Sequence, residues 1–339
     1  MWNTAFEVRG GLGYKDNVTL SPNEAAEASG FWLSRAEAMI FRLPSQGWQF
    51  NFFATADDVR YFDAESVDSE QVVMAVAQLN KDFGHGWKST LGLNYLYQNQ
   101  VFDMSATYTN GGSIGLVQGH MLSPRLSGRK NMGPGWVELG LSGTRQILAE
   151  PLDSYWQTGP RLAAGWNYGR GSEVSLAYNW VLLDYDSREQ SDLAGMPLTN
   201  TMLELQTHAV ELAWTHVFDE ERHWQTTTRL GFESTHDNGS GYYDYALYRA
   251  FEQVRYRAAT WDLTAQVGAG FYDYAHQTVS ATDLSPRQRW VITVAVRAEK
   301  KLTKHLKVFA SYALDDSISD LEFDDYVAHS VMGGLGIEF

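Results

Sequence analysis

The chain has 339 residues, a formal net charge of −15 and no cysteine. The acidic balance excludes the clustered Lys and Arg that phosphate backbones need, so no nucleic acid is expected as a partner. Without Cys, thiol catalysis and Cys-ligated zinc or iron–sulfur centres are excluded as well. Mean hydropathy is −0.33, and no run approaches the ~18 apolar residues of a membrane-spanning helix. A membrane stays open to this chain nonetheless, because barrel strands hide their apolar half by alternation. No Pro/Ser-rich linker, charge block or shift in composition divides it, so residues 1–339 are expected to form one domain.

Strand-like sequence begins at Trp2 with no leader-like segment before it, so Met1 reads as a start residue on a trimmed chain. From there, period-two alternation recurs in about sixteen segments of membrane-strand length. Their cores fall at 3–14, 30–42, 48–57, 71–83, 87–99, 113–122, 136–147, 155–168, 172–183, 206–218, 223–234, 244–257, 261–274, 288–299, 306–315 and 326–339. In 87–97, for example, Trp87, Leu91, Leu93, Tyr95 and Tyr97 share one face, while Lys88, Thr90 and Asn94 share the other. No helical stripe of comparable length occurs. The expected fold is all-β: a single closed antiparallel up-and-down transmembrane barrel.

Connections sort by length. Tight polar turns follow the even strands, at 44–47, 84–86, 168–171, 219–222, 258–260 and 300–305, with 123–135 the one longer connection among them. Long loops follow odd strands, as at 15–29, 58–70, 100–112 and 184–205. None reads as a dedicated plug, although 184–205 carries Leu193, Met196, Leu198 and Met202 and is apolar enough to fold inward. Trp2, Trp48, Trp87, Trp136, Trp224 and Trp261 open odd strands at the short-turn rim, and Trp166 and Trp214 approach it from even strands. Trp32, Trp156, Trp180 and Trp290 fall toward the loop rim. Every Trp is thus expected nearer a rim than a strand midpoint, where amphipathic rings meet lipid headgroups.

Charges facing lipid at the midplane cost a few kcal/mol each, so charged positions within strands should turn inward. The expected pore lining is Arg35, Glu37, Lys88, Glu138, Arg161, Glu211, Arg229, Arg249, Arg255, Asp262, Arg297 and Glu299, with Glu7, Arg9, Glu173, Glu233 and Lys307 on the same face. Such groups can line a pore and can pair to hold neighbouring strands. Barrels of 16 to 18 strands are wide enough for water unless something plugs them. Asp315, Asp316, Asp320, Glu322, Asp324 and Asp325 form the densest acidic cluster and are expected on one outer loop. Its oxygens could bind Ca²⁺ or bridge divalent cations to lipopolysaccharide. The spacing lacks EF-hand order, which favours a solvated loop; no other cofactor is expected. His208, His236, His276 and His329 fall near the loop rim without a G-x-S-x-G or comparable nucleophile motif. His85 and His305 stand singly, and His216 and His223 flank one turn without a third ligand. No catalytic or metal residue is therefore assigned, and no enzyme is expected.

The last strand sets Val331, Gly333, Leu335 and Ile337 on one face, Ser330, Met332, Gly334, Gly336 and Glu338 on the other, and ends at Phe339. It resembles the closing strand of bacterial outer-membrane β-barrels. The resemblance implies that Val331, Leu335, Ile337 and Phe339 form the signal read by the barrel-assembly machinery. The chain-wide alternation of short turns and long loops is similar to the 16-stranded porin-like members of that superfamily. Gly13-Tyr14-Lys15-Asp16-Asn17-Val18 resembles the Gly-Tyr-x-Asp-Asn-Val opening of barrels linked to exopolysaccharide export and to surface-lipoprotein assembly. Together these imply a multi-pass barrel of a Gram-negative outer membrane, with lipid and lipopolysaccharide around it, short periplasmic turns and long extracellular loops. The implied activity is passive passage of hydrophilic solutes through a mixed-charge lumen. Alternatives are the barrel of a polysaccharide or surface-protein export system, with a glycan or chain as cargo, and a hydrolase at the loop rim.

Overall fold

Alternation runs further along the chain than the segment cores suggest. The computed structural model, which describes residues 1–22, 25–105, 114–280 and 282–339, contains sixteen strands. They are β1 (Trp2–Lys15), β2 (Ser29–Ser45), β3 (Trp48–Tyr61), β4 (Ser69–Gly84), β5 (Trp87–Asp103), β6 (Ile114–Met132), β7 (Gly135–Leu148), β8 (Tyr155–Gly169), β9 (Ser172–Tyr185), β10 (Glu204–Val217), β11 (Trp224–Asp237), β12 (Tyr245–Arg257), β13 (Trp261–Thr278), β14 (Pro286–Lys301), β15 (Leu306–Ser319) and β16 (Tyr326–Glu338). Each pairs antiparallel with its sequence neighbours, and β1 closes the ring on β16 from Glu7↔Glu338 to Lys15↔Ser330. Closure leaves no edge strand, so the strands' backbone groups find partners within the sheet apart from short lapses.

The faces are inverted relative to a water-soluble domain. β1 exposes Trp2, Phe6, Val8, Leu12 and Tyr14 outward, while Glu7 and Arg9 between them are nearly buried inside. On β16, Val331, Leu335 and Ile337 stand exposed on the same outer surface, as the alternation predicts. At the short-turn rim, Gln46–Gly47, His85–Gly86 and Arg170–Gly171 each have positive φ at both residues, the type I′ geometry that matches strand twist. Glycine is required at Gly47: φ is +79°, and an added Cβ would lie 2.4 Å from the Asp82 carbonyl oxygen.

Three expectations are corrected. The connection placed at 123–135 is strand through Met132, with a turn of only Gly133–Pro134. Pro124 and three nearby basic residues disguise this stretch. The strand tolerates Pro124 because pairing with β7 lapses there, between Leu122↔Arg145 and Arg125↔Ser142. Trp136 does not join the outer belt. Trp48 and Trp87 directly follow their turns, whereas Gly135 takes that place after Gly133–Pro134. A one-residue offset reverses the face, and Trp136 is buried in the lumen over Arg129 at 3.9 Å. Trp180 lies near the middle of β9 rather than at a rim.

The loop rim is packed. Val18 and Leu20 from the first loop, Val67 from the second and Val101 of β5 form one core with Tyr326 and Ala328. Tyr185, Leu203, Leu205 and Tyr243 form another. Leu193, Met196, Leu198 and Met202, the residues expected to carry 184–205 inward, are exposed instead.

Candidate functional site

Register places all twelve predicted lining residues, with Glu7, Arg9, Glu173, Glu233 and Lys307, on the inner face. Most are brought together in pairs. Around the seam, Lys307 meets Glu7 at 2.6 Å and Glu299 at 3.5 Å, and Arg9 meets Glu7, Glu299 (2.5 Å) and Glu37 (3.8 Å). Arg297 completes this group at Glu299, and Arg35 grips Asp57 with two hydrogen bonds of 2.6 Å. To reach Glu299 on β14, the Arg9 chain must pass over β16 and β15. Gly336 makes that possible: a Cβ there would lie 3.0 Å from Glu7 Oε1 and 3.3 Å from the Arg9 stem. The glycine-rich closing strand thus serves the ion network as well as closure.

Elsewhere on the wall, Arg255 pairs with Asp262 (2.5 Å), Arg249 with Glu233 (3.1 Å), Arg125 with Glu138 (2.7 Å) and Lys88 with Asp82 (3.9 Å). Among the described residues, Arg161, Arg229 and Glu211 have no ion pair. Arg161 leans on Asn179 at 3.5 Å, and Arg229 lies over Phe251 at 5.7 Å. A cavity of about 620 Å³ opens at the short-turn end between Glu37, Arg255, Asp262, Arg297 and Lys301.

The loop end is different. Pairing with β4 ends at Gln71↔Asn99, but β5 stays paired with β6 to Asp103↔Ile114, and the end of this hairpin reaches across the lumen. Asp103 pairs with Arg289 of β14 and accepts a hydrogen bond from Tyr326 of β16 (3.1 Å). The Ser105 hydroxyl accepts from Arg289, and its carbonyl accepts from Arg287 at 3.1 Å. In the ring, β5 and β14 stand seven places apart out of sixteen, close to diametrically opposite. Arg287 is fully buried, pairs with the equally buried Asp324, donates to Gln277 Oε1 at 2.7 Å and stacks over Tyr274 at 4.4 Å. Burial pushes the Asp324 carboxyl above its ordinary range, against the opposing pull of Arg287 and Arg289.

Arg287, Arg289 and Asp103 escaped the sequence reading. The signal was present: alternation continued backward from Arg297 and Thr293 puts Arg289 and Arg287 on the same inner face. Arg289 lies inside the predicted segment 288–299, and Arg287 is one residue before it, just after Pro286, which opens the strand. No comparable signal says that Asp103 would reach across the lumen.

The acidic cluster is broken up rather than gathered on one loop. Asp315 and Asp316 belong to β15, the first lining a lumenal cavity with Arg35 and Asp57, the second on the opposite face beside Ile292 and Val327. Asp324 is consumed by Arg287. Only Asp320, Glu322 and Asp325 remain on the connection without that role, so the six carboxylates are not gathered at one place. The Gly13–Val18 motif also has a structural role. Asp16 accepts from the His329 N–H at 2.6 Å, Asn17 donates to the Val327 and Ser21 carbonyls (3.0 and 2.7 Å), and Val18 is buried, together locking the β1–β16 seam.

No family model matches the chain, and no curated protein matches it by sequence. Solved structures do. Over its whole length it superposes on OccK9 (OpdG) of Pseudomonas aeruginosa, with a TM-score of 0.54, 10% identity and 98% of that chain covered. OccAB1 of Acinetobacter baumannii gives 0.53 at 8% identity over 97% of its chain. An anion-selective porin from Comamonas acidovorans gives 0.50 at 10% identity over 99%. The chain shares the fold of these proteins, a closed antiparallel barrel.

Proposed function

We propose that the protein is an outer-membrane channel through which small hydrophilic solutes pass passively, with short turns toward the periplasm and loops outside. The observation that carries this reading is the lumen: charged and polar side chains line the full circumference, while the outer face is apolar. The crossing arm narrows the loop-side mouth and favours small solutes over a polymer, which would have to displace Asp103 and Ser105 from two buried arginines. No nucleophile or metal-dependent centre is needed for such a function. Acidic groups outnumber basic ones in the chain as a whole, and Asp320, Glu322 and Asp325 lie at the outer mouth. They should concentrate cations there within about a Debye length, ~30 Å at 0.01 M salt and ~3 Å at 1 M.

Planar-bilayer recording tests the proposal. Discrete conductance steps with a weak cation preference that fades from ~0.01 M to ~1 M salt are expected. Asp320→Asn with Glu322→Gln and Asp325→Asn should reduce the low-salt preference and leave high-salt conductance unchanged. A barrel that inserts yet never conducts would overturn the channel reading.

A further inference from the structure

The outer wall of β5–β8 carries a groove of about 470 Å³ lined by Ser89, Leu126, Gly128, Leu139, Leu141 and Pro160. Its floor exists because two adjacent outward positions are small. Ser89 and Gly128 are register partners, and a Cβ on Gly128 would meet nothing within 4 Å. The walls are among the most open apolar side chains of the strands: Leu139 is 64% exposed and Leu141 61%. No segment of the described chain covers them.

One pleat toward the short-turn rim, two residues and roughly 7 Å along β6, stands Lys130 on the same face. Its ammonium lies 4.9 Å over the Trp87 ring and donates to the His85 carbonyl at 2.7 Å. Lys81 repeats the arrangement two strands away, 4.7 Å over Trp48 and 2.9 Å from the Gln46 carbonyl. The ring and the turn carbonyl hold each ammonium at headgroup depth, with further N–H groups left to point outward. An apolar trough with a fixed cation at its headgroup end matches a fatty acyl chain joined to a phosphate.

Resting on the membrane placement proposed above, we infer that this groove is a phospholipid site of the periplasmic leaflet. One acyl chain lies in the Gly128 trough and the phosphate meets Lys130. A second protein copy would bury the leucines equally well, but would leave Lys130 without an anion, since no outward carboxylate lies on the groove's own wall. Phosphate therefore complements the site better.

Native mass spectrometry of delipidated, detergent-solubilised protein titrated with phosphatidylglycerol tests this. One lipid should be retained per barrel. Lys130→Gln should bind about tenfold more weakly, the loss expected of one charge-assisted hydrogen bond. Gly128→Trp, which fills the trough, should abolish retention, while Val296→Trp, outward on β14, should not alter it. Inorganic phosphate should fail to displace the lipid, because it lacks the acyl chain. Should Gly128→Trp not insert, Lys130→Gln decides alone. Equal retention by all variants would overturn the site, and so would a wild-type oligomer that Gly128→Trp converts to monomer, since the groove would then hold a second copy. Conductance reads separately: a channel with no specific lipid loses only this inference.

Discussion

The two ends of the barrel are stabilised by different means. At the short-turn rim, strands reverse through two residues, as at Gln46–Gly47 and His85–Gly86, and each turn is set by residues adjacent in sequence. At the loop rim, the decisive contacts join residues far apart: Asp103 with Arg289, Ser105 with Arg287, Asn17 with Val327. At one end local backbone geometry reverses the chain and the Arg9–Glu7–Lys307–Glu299 network holds the seam inside it; at the other the connections themselves are held by contacts with distant strands. Damage should therefore stay local at the loop rim and spread into strand pairing at the turn rim.

The largest effect is expected from Arg287→Ala. Removing one partner of a buried ion pair leaves the other charge stranded, at a cost of about 3–5 kcal/mol, here at Asp324. The loop rim should loosen and the arm lose its hold on β14. Single-channel conductance should rise and trypsin should cut the loops, while unheated protein still runs as a folded barrel on gels. Collapse of the whole barrel at lower temperature would show that the rims are not independent.

A smaller effect, about 1–2 kcal/mol, should follow Gly47→Ala, which forces an L side chain to positive φ and against the Asp82 carbonyl. The temperature at which the barrel loses its compact gel mobility should fall, with conductance unchanged. A variant that alters conductance instead would mean the turn rim also gates the lumen.

The smallest effect concerns acid. Ser66, through its hydroxyl and N–H, holds the Glu27 carboxyl below its ordinary range, with help from the Glu65 N–H. Because the folded value is depressed, this tie between the first and second loops is fully present above the ordinary glutamate pKa of about 4.3 and fades as pH falls through the lower folded value. Amide exchange at Glu65 and Ser66 should quicken there before any strand amide does. Simultaneous loss of strand protection would mean the loops do not open by themselves.

Alternation alone determined the strand number, the face of every predicted lining residue and the belt at most tryptophans, because a period of two needs only neighbouring residues and a barrel has one inside. The belt failed at Trp136, which shares the inward face of Glu138 two residues on, and the strand count blurred where Pro124 and clustered charge mask a strand. Tertiary structure decided what lies across the lumen. Asp103 and Arg289 are 186 positions apart in sequence, and only closure of the ring brings their walls to face each other. It also decided that Asp315, Asp316 and Asp324, neighbours in the sequence, serve the lumen, the outer surface and a buried ion pair. A carboxylate's environment depends on which strand face or loop meets it, and the local sequence does not carry that information.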